Sequence, residues 1–193
     1  LMVITLLLVP GAIKDTPFDP AQIASSYAFF PYARPDGRIA PVLSLGWTLN
    51  YEVFFYALMA LCLALPRPLL AVSSLLIGLA AFGLSARFTS PSFIFWTNPL
   101  ILEFLFGIAL ARLWASGWAY PHPILCAAAL AFGFALLIVL ASLPLPRFLA
   151  AGFPATLIVA AGTLFCPARP IPGQLLGDAS YGLYLSHRFA LRA

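Results

Sequence analysis

"GWTLNYEVFFYALMALCLALP", residues 46–66, decides the fold class. From Val53 to Pro66 every side chain is apolar or aromatic, so a helix built from it has no face that seeks water. Such a run belongs in lipid. Directly before it stands Glu52, a carboxylate beside a row of aromatics.

Composition extends that reading to the whole chain. Its 193 residues are 63% hydrophobic and 8% charged, with a mean hydropathy of +1.00. A soluble domain is about 45–50% apolar and about 25% charged. This chain has too little polar surface to coat a water-soluble globule, which leaves a polytopic membrane protein. The formal charge is +4, but the ten Lys and Arg are scattered singly. That pattern excludes a nucleic-acid stripe and a polybasic lipid patch, so the bilayer is the expected partner and nucleic acid is not.

A span needs about 20 mainly apolar residues to cross about 30 Å of hydrocarbon. The chain opens inside an apolar run, "LMVITLLLVPG", which has neither a basic n-region nor an A-x-A site. It reads as the tail of a partial first span near 1–13 rather than as a signal peptide. Six full spans are then expected near 48–66, 69–86, 98–115, 123–142, 148–166 and 175–193. "PRP" at 66–68, "PHP" at 121–123, "PLPR" at 144–147 and "PARPIPG" at 167–173 punctuate them, because proline stops one helix and starts the next. Short links make neighbours antiparallel. The expected architecture is an all-α transmembrane bundle, one integral-membrane domain over 1–193 that is incomplete at its N-terminus.

Residues 14–47 form the one long polar and aromatic connection, a loop expected to pack at headgroup level through Tyr27, Phe29, Phe30 and Tyr32. If loops alternate sides, Lys14, Arg34, Arg38, Arg87 and Arg147 share one side, and Arg67, Arg112 and Arg169 the other. The surplus comes from the long loop, so sequence leaves the orientation open. Cys62, Cys126 and Cys166 lie in apolar helices without metal or redox spacing and read as small buried apolar side chains.

Ionisable residues within spans are costly and mark function by default. Thr48, Glu52, Phe55, Tyr56 and Met59 share a helical face, with Trp47, Asn50 and Tyr51 just before Glu52. Glu52 is expected near the first turn of its helix, where the macrodipole favours an anion. That position suits a plain helix-start carboxylate as well as a functional one. The aromatic cluster, able to donate hydrogen bonds and stack on a sugar, favours the second. In "NPLILEFLFGIALARLW", Asn98 and Pro99 read as a helix start, and Glu103 stands more than a turn inside. Gly107, four residues on, would admit a close neighbour. Glu103 is therefore expected to be structural, paired with an arginine from another span. In "LLGDASYGLYLSHRFALRA", Asp178 reads as a cap, and Ser180, Tyr184 and His187 form one polar stripe. His122, between two prolines, carries no functional weight. No Gly-rich phosphate loop, G-x-S-x-G elbow, HExxH or Cys/His cluster occurs, so no bound metal or cofactor is expected.

Three of these stretches together resemble the membrane acyltransferase 3 family. "GWTLNYEVFFY" resembles its W-S-L-x-x-E-x-x-F-Y signature, "LILEFLFGI" its L-x-E-F-x-x-G element, and "LLGDASYGLYLSH" its L-G-x-x-S-Y-x-x-Y-L-x-H signature. The G-W-T-L-N-Y-E form is similar to the branch linked to exopolysaccharide production. The resemblance implies a transferase (EC 2.3.1-like) in a bacterial inner membrane. It would carry out O-acetylation or a related transfer from acyl-CoA to a hydroxyl of a polysaccharide or lipid-linked glycan. It implies about ten spans, with the family's R-x10-H motif and its catalytic histidine upstream of this sequence, so the chain by itself is expected to be inactive. His187 does not inherit that histidine's role. Glu52 would orient the imidazole or hold the acceptor, with Trp47, Asn50, Tyr51, Tyr56, Ser180, Tyr184 and His187 lining the substrate path. The family's adjacent pair of acids is Glu52 followed by Val53 here. Two other readings stand beside this one: a transporter or glycan flippase using intramembrane carboxylates, and a non-catalytic membrane scaffold.

Overall fold

A computed structural model describes residues 19–42, 46–166, 177, 179 and 180. The chain runs α1 (Pro20–Tyr27), α2 (Trp47–Cys62), α3 (Pro68–Ser85), α4 (Pro91–Trp96), a 3-10 turn (Pro99–Leu102), α5 (Glu103–Ala115), α6 (Pro123–Ala141) and α7 (Phe153–Ala160). Two π-helical turns, Phe148–Gly152 and Ala161–Phe165, extend α7 at its two ends. Among the described residues there is no strand, only an isolated antiparallel bridge between Ala33 and Ile39. Proline opens α1, α3, α4, the 3-10 turn and α6. Its missing N–H falls where a helix leaves donors unpaired anyway.

Among the described residues, four stretches are long and apolar enough to cross a membrane: Pro68–Ser85, Pro91–Ala115, Pro123–Ala141 and Phe148–Phe165. The protein is an integral membrane protein on that evidence; of the six full spans expected, those near 69–86, 98–115, 123–142 and 148–166 have such a helix. The helix expected over 48–66 is 16 residues, because the chain turns after Cys62. At 1.5 Å per residue it reaches about 24 Å, short of the hydrocarbon core. The span expected from 98 starts at Pro91, since α4 and the 3-10 turn continue into α5. The segments expected near 1–13 and 175–193 lie outside the described residues, apart from Gly177, Ala179 and Ser180, which are helical.

The core gathers Tyr51 and Cys62 from α2, Val72, Leu76 and Ala80 from α3, Phe95 from α4 and Ile101 from the 3-10 turn. Outside it, large apolar side chains face outward along every long helix: Leu84 is 76% exposed and Ile138 74%. In water such a surface would drive association; in lipid it is at home. Lipid tails are as apolar as leucine, so helices must hold together by close packing. Gly133 of α6 illustrates this, because a Cβ there would stand 2.7 Å from Ile158 Cγ1 of α7. Among the described residues none makes the close approach expected at Gly107: none lies within 4 Å of where its Cβ would be.

Within the connection expected over 14–47, the described residues 19–42 are more ordered than a loop. Asp19 caps α1, accepting from the Ala21 N–H at 2.9 Å and from the Tyr32 hydroxyl at 2.6 Å. Buried Gln22 donates to the Ala40 carbonyl at 3.5 Å, and the Ser26 hydroxyl accepts from the Val42 N–H at 2.8 Å. Gly37, at φ +80°, closes the turn between Arg34 and Arg38. Phe30 packs edge-on against Trp96 at 5.0 Å, which ties this segment to α4.

Connectivity sorts the links into two ends. The start of α2, residues 86–90 and residues 142–147 lie at one end. Residues 63–67, 116–122 and Cys166 lie at the other. There the Tyr120 and His122 N–H groups donate to the Leu164 and Phe165 carbonyls at 2.9 and 2.8 Å. Cys126 and Cys166 form a disulfide at that end, their Cα atoms 5.0 Å apart. This corrects the expectation of three unpaired cysteines. A sequence separation of 40 hides the pairing, which only the antiparallel return of α7 along α6 creates. Cys62 is free and buried, as expected.

Candidate functional site

Where α2, the start of α5 and the start of the α7 segment converge, a cavity of about 260 Å³ opens. It is lined by Trp47, Thr48, Tyr51 and Glu52 of α2, by Leu100, Glu103 and Phe104, and by Arg147. Thr48 and Glu52 are one helical turn apart, and Glu103 faces them from a second helix. The cavity thus brings together two carboxylates and one guanidinium within a wall that also holds three aromatic rings, Thr48 and Leu100.

That wall is built by stacking. Tyr51 lies flat on Phe95 with centroids 3.8 Å apart, Trp47 meets Tyr51 edge-on at 5.8 Å, and Phe55 stacks on Phe104 at 4.4 Å. Arg147 holds its guanidinium 4.9 Å from the centre of the Trp47 ring. Such a contact is attractive and fixes the long side chain at the mouth. One face of Trp47 is therefore covered by Arg147 rather than free for a sugar.

Glu103 takes the first position of α5 proper, because the preceding turn is 3-10. Asn98 caps that turn as its sequence suggested, its Oδ1 accepting from the Leu100 N–H at 2.9 Å. The carboxylate of Glu103 lies against Gly152: a Cβ on Gly152 would be 2.8 Å from Glu103 Cγ and 3.1 Å from Oε1. The π-helical turn Phe148–Gly152 sets this contact up, carrying the chain from Arg147 to Gly152. The arginine expected to pair with Glu103 is Arg147. It is near enough to interact electrostatically with both Glu103 and Tyr51, but it makes no ion pair within 4 Å to Glu103. Glu103 and Phe104 also border an apolar groove of about 500 Å³ that follows α5 past Gly107 to Arg112 and Ala115.

The sequence-based candidates divide. Trp47, Tyr51 and Glu52 do share the cavity. Glu52 is the sixth residue of α2, past the first turn, so the helix-start explanation of its charge loses its force. Asn50 is buried on the core side of α2 and does not line the cavity. Tyr56, 62% exposed, points away from it. Ser180 is exposed and does not border it. Asp178, Tyr184 and His187 lie outside the described residues. Among the described residues no group of three His, Cys, Asp or Glu is placed to hold a metal. Sequence reasoning missed Arg147, treated there as helix punctuation. A signal was present: a base at a helix start opposes the macrodipole and calls for nearby anions or an aromatic face.

No protein-family model and no solved structure matches the chain. The chain is similar to the exopolysaccharide production protein ExoZ of Rhizobium meliloti (strain 1021), 39% identical over 182 residues. That match takes in 88% of this chain but only 56% of the relative, so the chain spans a little over half of that protein's length.

Proposed function

We propose that the chain is the C-terminal part of a membrane-bound O-acyltransferase of the acyltransferase 3 family. The reaction moves an acyl group, typically acetyl, from acyl-CoA to a hydroxyl of an exported polysaccharide or a lipid-linked glycan. Its place is the bacterial inner membrane. The three sequence signatures and the similarity to an exopolysaccharide production protein support this reading. The observation that carries it is the cavity, where the acids of two signatures, Glu52 and Glu103, meet across an aromatic wall.

The chemistry sets what such a cavity must do. A base takes the acceptor's hydroxyl proton as its oxygen attacks the thioester carbonyl, and donors stabilise the oxyanion until the CoA thiolate leaves. The base is the family's histidine, which is not among these 193 residues. Glu52 orients that imidazole and stabilises its charged form, as the acid of a triad does. Tyr51 and Thr48 offer hydroxyls to the acceptor. Arg147 presents its guanidinium to the anionic parts of the donor.

Glu52→Gln in the intact protein tests this. We expect O-acyl groups on the polysaccharide to fall by about 100-fold or more at unchanged protein level, the scale on which one acid–base component acts. Undiminished acylation would refute the role of Glu52. Movement of glycan across the membrane without acyl-CoA, and with no label passing from acyl-CoA to glycan, would favour the transporter instead.

A further inference from the structure

The two ends of the helical bundle differ in two independent ways, and we infer from them which compartment each end faces. The Cys126–Cys166 disulfide marks the oxidising, external face of the membrane, and the Glu52–Glu103–Arg147 cavity opens toward the opposite, cytoplasmic face.

The first observation is chemical. Cys126 stands in the first turn of α6 and Cys166 directly follows the last turn of the α7 segment, so both sulfurs lie at one end. Disulfides persist in oxidising compartments and are rare where thiol reductants keep cysteines reduced. Forming this bond removes two protons and two electrons from two thiols. The disulfide of an exported thiol oxidoreductase accepts them by thiol–disulfide exchange and becomes its dithiol. That reaction is available only outside the cytoplasm.

The second observation is electrostatic. Among the described residues, Arg34, Arg38, Arg87 and Arg147 lie at the cavity end, while Arg67 and Arg112 lie at the disulfide end. Cytoplasmic ends carry the excess of Lys and Arg. Sequence alone left this count weak, because two of the four belong to the long connection. The fold strengthens it: that connection is a folded segment docked on α4 through Phe30 and Trp96, and Arg147 is fixed over Trp47 at the cavity mouth. Thiol chemistry and charge bias are unrelated effects, and they assign the same polarity. The disulfide end also presents exposed Trp114, Trp118 and Tyr120, the residues that settle at a membrane–water interface.

The test uses the full-length protein in bacterial membranes, with every cysteine but Cys126 and Cys166 replaced by alanine. Thiols are trapped in acid before lysis. In denaturant the parent should take up no maleimide without reductant and two per chain after it. Ser116→Cys and Ser142→Cys, at opposite ends, are then added one at a time. A membrane-impermeant maleimide should label Cys at 116 in sealed spheroplasts, and at 142 only after the membrane is opened. Free thiols in the parent, or any other labelling pattern, would overturn the assignment. If the variants fail to insert, alkaline phosphatase fused after Gly117 should be active and after Ser142 inactive; the reverse would overturn it equally. None of these readouts depends on acyl transfer, so the polarity and the proposed reaction stand or fall separately.

Discussion

The cavity region and the α6–α7 hairpin are both apolar, the hairpin more so, and they are held together differently. Around the cavity, α2, the 3-10 turn and α5 meet through stacked rings, two carboxylates and an arginine. The hairpin has no ionisable side chain between Cys126 and Ala141, and it is joined by a Gly133–Ile158 contact and a disulfide. In lipid, charged groups weaken insertion and are kept only where they serve something. Close packing and covalent links stabilise without that penalty. The contrast separates a working region from a holding region, and it makes opposite forecasts for substitutions in each.

The largest effect is expected from Glu103→Gln. It should lower polysaccharide acylation about 100-fold, as Glu52→Gln should, while thermal stability in detergent stays level or rises, because an intramembrane charge has gone. A fall in stability with activity retained would return Glu103 to the structural role its sequence suggested. Next comes the hairpin. Cys126→Ser with Cys166→Ser should cost roughly 2–4 kcal/mol of stability through loss of the cross-link, with specific activity per inserted molecule unchanged. A large activity loss at full insertion would erase the division between the regions.

The two packed glycines sharpen the comparison further. Gly133→Ala and Gly152→Ala each force a Cβ to within 3 Å of a neighbour, so each should destabilise by about 1–3 kcal/mol. Only Gly152→Ala, which displaces the Glu103 carboxylate in the cavity, should also lower activity, by about tenfold for a misplaced cavity group. Equal activity losses in both variants would show that Glu103 placement is not special. The smallest effect concerns the folded connection. The Tyr32 hydroxyl holds the Asp19 carboxyl below the ordinary carboxylate range, aided by the Ala21 N–H and partly opposed by burial. Since the folded value is depressed, this contribution is present above the ordinary carboxylate value and is lost as pH falls through the folded one. Tyr32→Phe should move the Asp19 titration upward toward its ordinary value, as followed by carboxyl NMR.

Much of this was legible in the chain because lipid imposes simple rules. Apolar runs bounded by proline located α3, α5, α6 and the α7 segment, since each span must satisfy its own backbone hydrogen bonds. The Trp47, Tyr51 and Glu52 cluster could be read from helical spacing, because a single helix fixes which residues share a face. Asn50 and Tyr56 fall outside the cavity for the complementary reason: spacing ranks residues around one helix but does not say which face meets a neighbour. The contact of Glu103 with Gly152 was not legible either, because it comes from a segment more than 40 residues later in the chain.

By itself, then, the sequence determined that this is an apolar helical membrane protein, where most of its helices start, and that Glu52 sits among aromatics. Only the tertiary structure decided that Glu52 and Glu103 share one cavity, that Arg147 lies at its mouth over Trp47, and that Cys126 meets Cys166. The physical reason is one of range. Helix formation and lipid partition act within a turn or along one span, so local sequence encodes them. Pairings between spans depend on how antiparallel helices pack side against side, which no single segment of the chain contains.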